Sequence, residues 1–304
     1  VHSLYNSEKP HSLDLLRYYG VPVYGSLDIA CKCIGVLAQY GRYLKSYHAK
    51  SDFVLNWGTK AKPEGRQLID AVNQSGRTAL LEAEAKQLLR LHGAAVTSDA
   101  LATTEDAAAD AAAAMGGKVV LKISSPDILH KSDSKGVQLN LSGKYQVKKA
   151  FLEIIINANS YKADARIECV LIYPMVGKGI EVIIGTKIDD QFGPVIMYGL
   201  GGVMVEILKD VSFRVLPISR RSAQRMIAET KSHPILDGAR GDKPYDKKAL
   251  INLLLVCSEI IEAYPQIHEM DLNPVIIHHE GLSIVDARIL LKPAPKEEKP
   301  GTAA

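Results

Sequence analysis

Two strand-like stretches separated by a polar segment lie near the middle of the chain, and they restrict the folds open to it. Residues 119–125 are rich in apolar and β-branched residues, and Pro126 ends this stretch. Residues 137–141 alternate apolar and polar side chains, which is typical of a half-buried strand. The pattern therefore predicts a strand, a polar loop and a second strand over residues 119–141.

The polar loop carries one imidazole, His130, and the lysines Lys122 and Lys131 flank it. A lysine at the end of a strand is a fixed positive charge, and a nucleotide phosphate is a natural partner for it. The same residues also fit a surface hairpin whose charges face water. This stretch by itself leaves both alternatives open.

The composition narrows the classes of protein to consider. The 304 residues are enough for two or three domains, and contents of 47% hydrophobic and 23% charged residues are typical of globular proteins. A net charge of +3, without a basic stripe interleaved with aromatics, does not favour a nucleic-acid partner. No apolar run has the length needed to cross a bilayer, so we expect neither nucleic acid nor a membrane as a partner.

The four cysteines show no zinc-site spacing. Cys31 and Cys33 lie two apart in a helical pattern and therefore diverge, and Cys169 and Cys257 are isolated. We expect small buried apolar residues in a reducing compartment, the cytoplasm. Because the chain starts at Val1, within a pattern and without an initiator methionine, we also expect a C-terminal piece of a longer protein.

Changes in sequence texture predict four segments. Residues 1–45 show helix, short strand and helix, too little for a good core, and fit the end of an α/β domain. Residues 46–76 lose periodicity and collect Lys, Gly, Pro and Ser, as a linker does. Residues 77–292 carry a mixed helix and strand domain, and the Pro/Lys/Glu-rich tail 293–304 is expected to be disordered.

Apolar periodicity and capping residues predict the elements within residues 77–292. The predicted helices cover residues 78–92, 104–115, 145–158, 219–230 and 247–263. The further predicted strands cover residues 168–176, 180–187, 194–198, 275–278 and 282–286. Of these, 180–187 and 194–198 are expected to pair antiparallel around a turn at 189–193.

A glycine-rich run follows strand 194–198. Gly199, Gly201 and Gly202 allow positive φ and a close approach to another group. The spacing matches neither a dinucleotide fingerprint nor a Walker loop, and a plain tight turn would use the same glycines.

Asn273 and Asp286 flank two adjacent predicted strands joined by a short turn, which places them near each other at one sheet end. An amide oxygen and a carboxylate oxygen suit Mg²⁺, which completes its octahedron with phosphates and water. The alternative is an Asx-turn at Asn273 and a solvent-facing Asp286. From these two residues alone, that alternative is favoured.

Several short motifs occur in the order found in a known family. They are Val120-Leu121-Lys122, Ile128-Leu129-His130-Lys131-Ser132-Asp133, Phe192-Gly193-Pro194, Tyr198-Gly199-Leu200-Gly201-Gly202, Gly238-Ala239-Arg240-Gly241, Met270-Asp271-Leu272-Asn273-Pro274 and Asp286-Ala287-Arg288. With these motifs, residues 77–292 resemble the ATP-grasp subunit of ADP-forming acyl-CoA synthetases, above all of acetate–CoA ligase (ADP-forming). That subunit is related to the succinyl-CoA synthetase β chain. Residues 1–45 resemble the end of the CoA-ligase domain that precedes it in fused versions, through Gly20-Val21-Pro22-Val23-Tyr24 and Tyr40-Gly41-Arg42-Tyr43.

The resemblance implies an α/β fold, more closely an α+β sandwich. It would be an ATP-grasp fold of two subdomains, preceded by the C-terminal remnant of a flavodoxin-like CoA-ligase domain. The chain would be the ATP-binding component of an acid–thiol ligase that uses ATP/ADP and Mg²⁺. CoA would bind outside this chain, in a CoA-ligase domain or α subunit of a hetero- or homo-oligomer.

The resemblance also implies roles for matching positions. His130 would take the γ-phosphoryl group of ATP on a ring nitrogen, and Asp271 would orient that ring. The residues that would bind ATP are Lys122, Lys131, Tyr173, Met175, Glu181, Gly201 and Gly202. The residues that would bind Mg²⁺ are Asn273, Asp286 and Glu206.

Two positions depart from the family pattern. Lys135 replaces a glycine, and if the backbone has positive φ there, a non-glycine residue costs roughly 1–2 kcal/mol. Tyr173 stands where glutamine or glutamate is common beside adenine. Because adenine recognition there is largely by the backbone, we expect a changed affinity rather than a loss of binding.

Two other functions remain open. A nucleotide-binding regulatory module of the same fold would bind ATP without turnover. A different ATP-grasp ligase, working through a free acyl phosphate, would leave His130 without a task. The ligase is favoured because the whole set of chemical groups is present, and decayed sites usually lose some members.

Overall fold

The computed structural model describes residues 2–3, 10–46, 58, 60–128, 131, 133–202, 209–238 and 243–292. The chain divides into two compact units, residues 1–51 and residues 52–304, and each is described by itself. The larger unit carries both of the sheets that hold the predicted site.

The first unit contains the helix, strand and helix expected from the sequence, and one additional strand. Its elements are β1 (His2–Ser3), α1 (Pro10–Tyr18), β2 (Val23–Tyr24) and α2 (Leu27–Ser46), and the two strands pair in parallel. Gly20, with a φ of +70°, follows the end of α1. Among the described side chains of this unit only Ala30 is buried, whereas Leu37 and Tyr40 are largely exposed. The part of the unit that the structure describes therefore has no core of its own, as its small size predicts.

A four-stranded antiparallel sheet forms one half of the second unit. Its strands lie in the order β3 (Ala100–Ala102), β6 (Cys169–Pro174), β4 (Val119–Ser124) and β5 (Val137–Leu141). Helices α5 (Glu105–Met115) and α6 (Gly143–Tyr161) share a core with this sheet. The predicted strand, loop and strand is confirmed, although Leu139 is largely exposed, so the alternation expected for β5 does not appear in its burial.

A larger antiparallel sheet forms the other half. Its strands lie in the order β11 (Leu282–Ile284), β10 (Ile267–Ile277), β7 (Ile180–Asp189), β8 (Gly193–Leu200) and β9 (Val211–Val215), and β12 (Arg288–Leu291) also pairs with β10. The helices that share its core are α3 (Pro63–Gln74), α4 (Glu82–Leu91), α7 (Arg220–Glu229), α8 (His233–Leu236) and α9 (Lys247–Ala263). The predicted β7–β8 pair is confirmed. In its turn, Asp189 Oδ1 accepts hydrogen bonds from the N–H groups of Gln191 and Phe192, both at 2.9 Å.

The linker expected over residues 46–76 is wrong for its second half. Residues 63–74 form α3, which begins with Pro63, a position where the missing N–H costs nothing. Ile69 and Val72 are each 1% exposed in the core of the larger sheet. These two residues are three apart and form a narrow buried stripe on a mostly polar helix. So few apolar positions give no clear helical period in the sequence. Residues 47–57 and 59 lie outside the described part of the chain.

Other elements differ from the sequence-based predictions at their boundaries. The helix expected from residue 78 begins at Glu82, because the preceding segment joins the sheet through a hydrogen bond from Leu80 N to Ile289 O at 3.0 Å. Strand β10 begins at Ile267 rather than Val275. Four further elements were not predicted from the sequence, because they are too short for a period to be recognised: β3, β9, β12 and α8.

The expected burial of the cysteines is confirmed for Cys257 alone. Cys31 is exposed, Cys33 and Cys169 are partly exposed, and all four are free thiols. The tail 293–304 lies outside the described residues. Among the helices that the structure describes, none combines the length and the hydrophobicity that crossing a membrane requires.

Lys135 has a φ of +48°, in the left-handed region, so the condition named for this position in the sequence is met. A non-glycine residue there carries a cost of roughly 1–2 kcal/mol. Next to it, a Cβ on Gly136 would lie 2.5 Å from Ile123 Cγ2, so this glycine is required for close packing under the loop.

We expect Ile69→Ala to lower the free energy of unfolding by about 2–5 kcal/mol, because it leaves a cavity in the core of the larger sheet. Urea denaturation measures this quantity. The control is Gln67→Ala on the exposed face of α3, expected to cost less than about 0.5 kcal/mol. If both variants unfold like the wild type, α3 is not part of the core.

Candidate functional site

A cavity of about 310 Å³ is lined by residues from both sheets of the second unit. One part of its lining is residues 79–82, leading into α4, together with residues 124–126 at the end of β4. The other part comes from β10 and from residues 286–288, between β11 and β12. Its volume lies within the range of about 300–1,000 Å³ that small-molecule sites occupy.

Glu82, the first residue of α4, places one buried carboxylate among three lysine ammonium groups. Its Oε1 lies 2.9 Å from Lys86 Nζ, one turn further along the helix. Its Oε2 lies 2.9 Å from Lys122 Nζ and 2.6 Å from Lys131 Nζ. The side chains of Glu82 and Lys86 are 1% and 0% exposed. The lysines belong to α4, to β4 and to the loop that follows β4, so one carboxylate joins three segments.

Burial and charge have opposite effects on these groups. Burial alone would raise the pKa of Glu82, but the positive charges of its lysine partners bring this pKa well below its ordinary value. Burial alone would lower the pKa of Lys122, but the negative charges of Glu82 and Asp286 raise this pKa above its ordinary value. Both groups therefore stay charged at neutral pH.

Asp286 is the second carboxylate that the cavity lysines contact. Its Oδ2 lies 2.7 Å from Lys122 Nζ, and its Oδ1 lies 3.8 Å from Lys131 Nζ. Its side chain is 32% exposed, so unlike Glu82 it is accessible to a bound group. The ammonium groups of Lys122 and Lys131 therefore lie beside a carboxylate that a bound group can reach.

Asn273 and Asp286 both line the cavity, so they lie near each other, as the sequence predicts. The pairing of β10 with β7 is irregular between Leu272 and Val275, and Val285 N donates a hydrogen bond to Pro274 O at 3.1 Å. Despite this irregularity, β10 runs through Asn273 and Pro274, so the alternative of an Asx-turn at these two residues is wrong. An amide oxygen and a carboxylate oxygen at one cavity are a donor set that fits Mg²⁺.

Asp271 also lines the cavity and pairs across the sheet with Arg288. Burial, together with the negative charges of Glu269 and Asp286, raises the pKa of Asp271, and Arg288 acts in the opposite direction. The Nε atom of Arg288 is buried and has no hydrogen-bond partner among the described residues. A carboxylate and an unsatisfied cationic donor are thus present together on this side of the cavity.

Tyr173 and Met175 are on and just after β6, and neither is among the described residues that line the cavity. The Tyr173 ring is 2% exposed, and Lys86 Nζ lies 4.6 Å from its centroid. Burial raises the pKa of the Tyr173 phenol to about 12. The N–H of Met175 donates to Lys118 O at 2.8 Å, so this amide is already engaged. Adenine binding along β6 stays a prediction.

Glu181, Gly201 and Gly202 form a separate group where β7 and β8 lie side by side. Gly201 N donates to Glu181 O at 2.7 Å, and a Cβ on Gly201 would lie 3.0 Å from the Glu181 backbone carbon. Gly202 has a φ of +65°. Close packing therefore favours glycine at position 201, and the positive φ favours it at position 202. Nucleotide binding by these three residues stays a prediction.

His130 and Glu206 lie outside the described residues, so their predicted roles stay predictions. Near His130 in the chain, Ile128 is buried and Lys131 is held by Glu82, and both line the cavity.

Two charged residues of the site, Glu82 and Lys86, were not predicted from the sequence. A signal was available, because both lie at helical spacing among the apolar residues Ala85, Leu88 and Leu89 of α4. Two opposite charges four residues apart within an apolar stripe indicate a buried ion pair or a site.

Comparison with known proteins shows which family the chain belongs to. A model described as the ATP-grasp domain matches residues 71–291. The β subunit of ADP-forming acetate–CoA ligase II from Pyrococcus furiosus is 49% identical over 234 residues, covering 76% of this chain and 99% of that subunit. ADP-forming acetate–CoA ligase I from Archaeoglobus fulgidus is 41% identical over 277 residues, covering 91% of this chain and 40% of that longer protein.

A solved structure of Ca. Korarchaeum cryptofilum dinucleotide-forming acetyl-coenzyme A synthetase 1 has the same fold. It is 42% identical with a TM-score of 0.66, and the match covers 75% of this chain and 100% of that one. It is a complex with coenzyme A and Mg-AMPPCP in which the phosphohistidine segment points towards the nucleotide binding site.

We expect Glu82→Gln to lower the free energy of unfolding by about 3–5 kcal/mol at pH 7, because it leaves the ammonium of Lys86 buried without a carboxylate. A carboxyl group with a lowered pKa loses its stabilising contribution only as the pH falls through that pKa. The deficit should therefore be the same at pH 6 and pH 8, in urea denaturation at both values. Glu153→Gln, on the partly exposed pair with Lys149, is the control and should cost less than about 1 kcal/mol.

Proposed function

This chain belongs to the ATP-grasp family and, within it, to the β-subunit group of ADP-forming acetate–CoA ligases, and we propose that it performs the ATP half of the ligase reaction. In this half, the γ-phosphoryl group of ATP passes to a histidine of the chain. An acyl-phosphate and CoA site outside this chain would then receive the phosphoryl group.

One observation supports this function above all others. Lys122 extends from the small sheet to within 2.7 Å of Asp286, at a cavity that Asp271 and Asn273 of the larger sheet also line. A fixed cation opposite an amide and carboxylate pair matches the charges of a magnesium-bound polyphosphate. Phosphoryl transfer depends mainly on positioning and charge neutralisation, which this arrangement supplies.

The chain's own residues fit Mg²⁺ at this position. Asn273 and Asp286 would hold the ion through oxygen atoms, which leaves coordination positions for phosphate and water, and Glu206 is a further candidate ligand. When bound, Mg²⁺ would neutralise charge on the phosphate oxygens. Lys122 and Lys131 would bind phosphate oxygens, since Lys131 lines the cavity and Lys122 contacts Asp286, which also lines it.

His130 would be the nucleophile. A neutral imidazole, with an ordinary pKa of about 6.5, has a free lone pair at neutral pH. A ring nitrogen would attack the γ-phosphorus, forming an N–P bond as the bond to the β–γ bridging oxygen breaks and ADP leaves. Asp271 would accept a hydrogen bond from the other ring nitrogen and orient the ring.

The remaining half of the reaction requires protein outside this chain. The chain spans 40% of the Archaeoglobus relative, which therefore has room for further domains. We propose that residues 1–45 are the end of such a CoA-ligase domain, and that an upstream segment or an α subunit completes it in an oligomer. We also propose that the ATP-grasp domain begins at α3, before residue 77, and extends to residue 292. A cytoplasmic location is in keeping with four free cysteines, and cell fractionation tests it.

Incubation with γ-labelled ATP and Mg²⁺ tests the phosphohistidine. We expect label on the protein that is acid-labile and base-stable, that is absent from His130→Ala, and that is reduced at least about tenfold in Asp271→Asn. His11→Ala, which changes a histidine of the first unit, is the control and should label like the wild type. Nucleotide binding without any label would instead support a regulatory module or a ligase that uses a free acyl phosphate.

Titration with Mg²⁺ tests the proposed ligand set. We expect Asp286→Asn to raise the Mg²⁺ concentration for half-maximal labelling at least about tenfold, because an amide binds Mg²⁺ more weakly than a carboxylate. Asp190→Asn, at the β7–β8 turn, should leave that concentration unchanged. An unchanged Mg²⁺ requirement in Asp286→Asn would remove Asp286 from the ligand set.

A further inference from the structure

We propose that Glu82 is a positioning residue, which holds Lys122 and Lys131 at the cavity and fastens the loop after β4 to helix α4. This inference rests on the proposed function, since it assigns the two lysines to nucleotide phosphates. It adds a residue that does not contact the nucleotide but determines where the contacting ammonium groups lie.

The two carboxylate oxygens of Glu82 contact different lysines. Oε1 contacts Lys86, and Oε2 is shared by Lys122 at 2.9 Å and Lys131 at 2.6 Å. Two ammonium groups on the same oxygen are held close together although they repel each other. Without the carboxylate this repulsion would separate them, and the more exposed Lys131 would move away first, since its side chain is 16% exposed and that of Lys122 is 7%.

Lys86 stabilises the carboxylate from its buried side. Its side chain is completely buried, with Nζ both 2.9 Å from Glu82 Oε1 and 4.6 Å from the centroid of the Tyr173 ring. The ring face provides a second favourable contact for the cation. Lys86 is not among the described residues lining the cavity, so it is not placed to bind a ligand there. It keeps Glu82 charged and fixed.

The contact with Lys131 has a consequence for the loop. Lys131 O accepts a hydrogen bond from Gly136 N at 2.8 Å, and Gly136 O accepts one from Ile123 N at 2.8 Å. A chain of contacts therefore runs from α4 through Glu82 and Lys131 to the base of the loop and to β4. Because Lys131 directly follows His130 in the sequence, Glu82 holds the chain immediately beside the proposed nucleophile.

A double-mutant cycle on the full chain tests this role. Its members are the wild type, Lys131→Met, the charge-balanced pair Glu82→Gln/Lys86→Met, and the triple variant. The balanced pair avoids a lone buried ammonium, and thermal unfolding confirms that each protein is folded. The first readout is ADP affinity with Mg²⁺ by calorimetry, and the second is hydrogen exchange of the Gly136 amide without nucleotide.

If Lys131 acts through its attachment to Glu82, Lys131→Met and the balanced pair each weaken ADP binding at least about tenfold. The triple variant is then no more than about threefold weaker than the balanced pair. Hydrogen exchange of the Gly136 amide should be faster in both Lys131→Met and the balanced pair than in the wild type. The triple variant should exchange no faster than these two. Lys131→Arg, which keeps the ion pair, should retain both properties.

Two other results have separate meanings. If Lys131→Met weakens binding by the same factor in both backgrounds, and exchange at Gly136 is unchanged in the balanced pair, Glu82 has no positioning role. If the wild type binds no ADP but the coupled exchange effect is present, the proposed function fails while the tether between Glu82 and the loop stands.

Discussion

The buried contact between Glu82 and three lysines is the interaction on which the cavity depends. An ionised carboxylate that is 1% exposed is tolerated only because Lys86, Lys122 and Lys131 surround it. These partners come from a helix of the large-sheet core, a strand of the small sheet and the loop after that strand. One ion cluster therefore connects a helix of the larger sheet with the small sheet and its loop.

The two carboxylates that contact Lys122 differ in their exposure to solvent. The buried one, Glu82, supports the structure, and the more exposed one, Asp286, is the candidate for ligand binding. Glu82 is buried in contact with its lysines, whereas Asp286 is 32% exposed and lines the cavity. If Asp286 binds a cation as proposed, it would leave Lys122 while Glu82 still contacts the ammonium. Lys122 would then be free to contact a phosphate without having to be repositioned.

Close backbone packing shapes the rest of the candidate site. Gly136 lies against Ile123 under the loop, and Gly201 lies against Glu181 between β7 and β8. At both places a side chain would collide with neighbouring atoms, so these glycines are explained by packing before any ligand is considered. The glycine-rich run thus has a structural reason for its composition, and its predicted contact with nucleotide is a separate question.

The sequence by itself determined the strong local patterns and the motifs whose order identifies the family. The strand, loop and strand over residues 119–141, the β7–β8 pair and the proximity of Asn273 and Asp286 all follow from local periodicity and turn residues. The tertiary structure alone decided which charged groups from distant segments meet. Glu82 and Lys122 are forty residues apart in sequence, and α3 buries only a narrow stripe of a polar segment. Such contacts leave little local trace, because the burial that makes a charge or a short apolar stripe meaningful comes from chain segments distant in sequence.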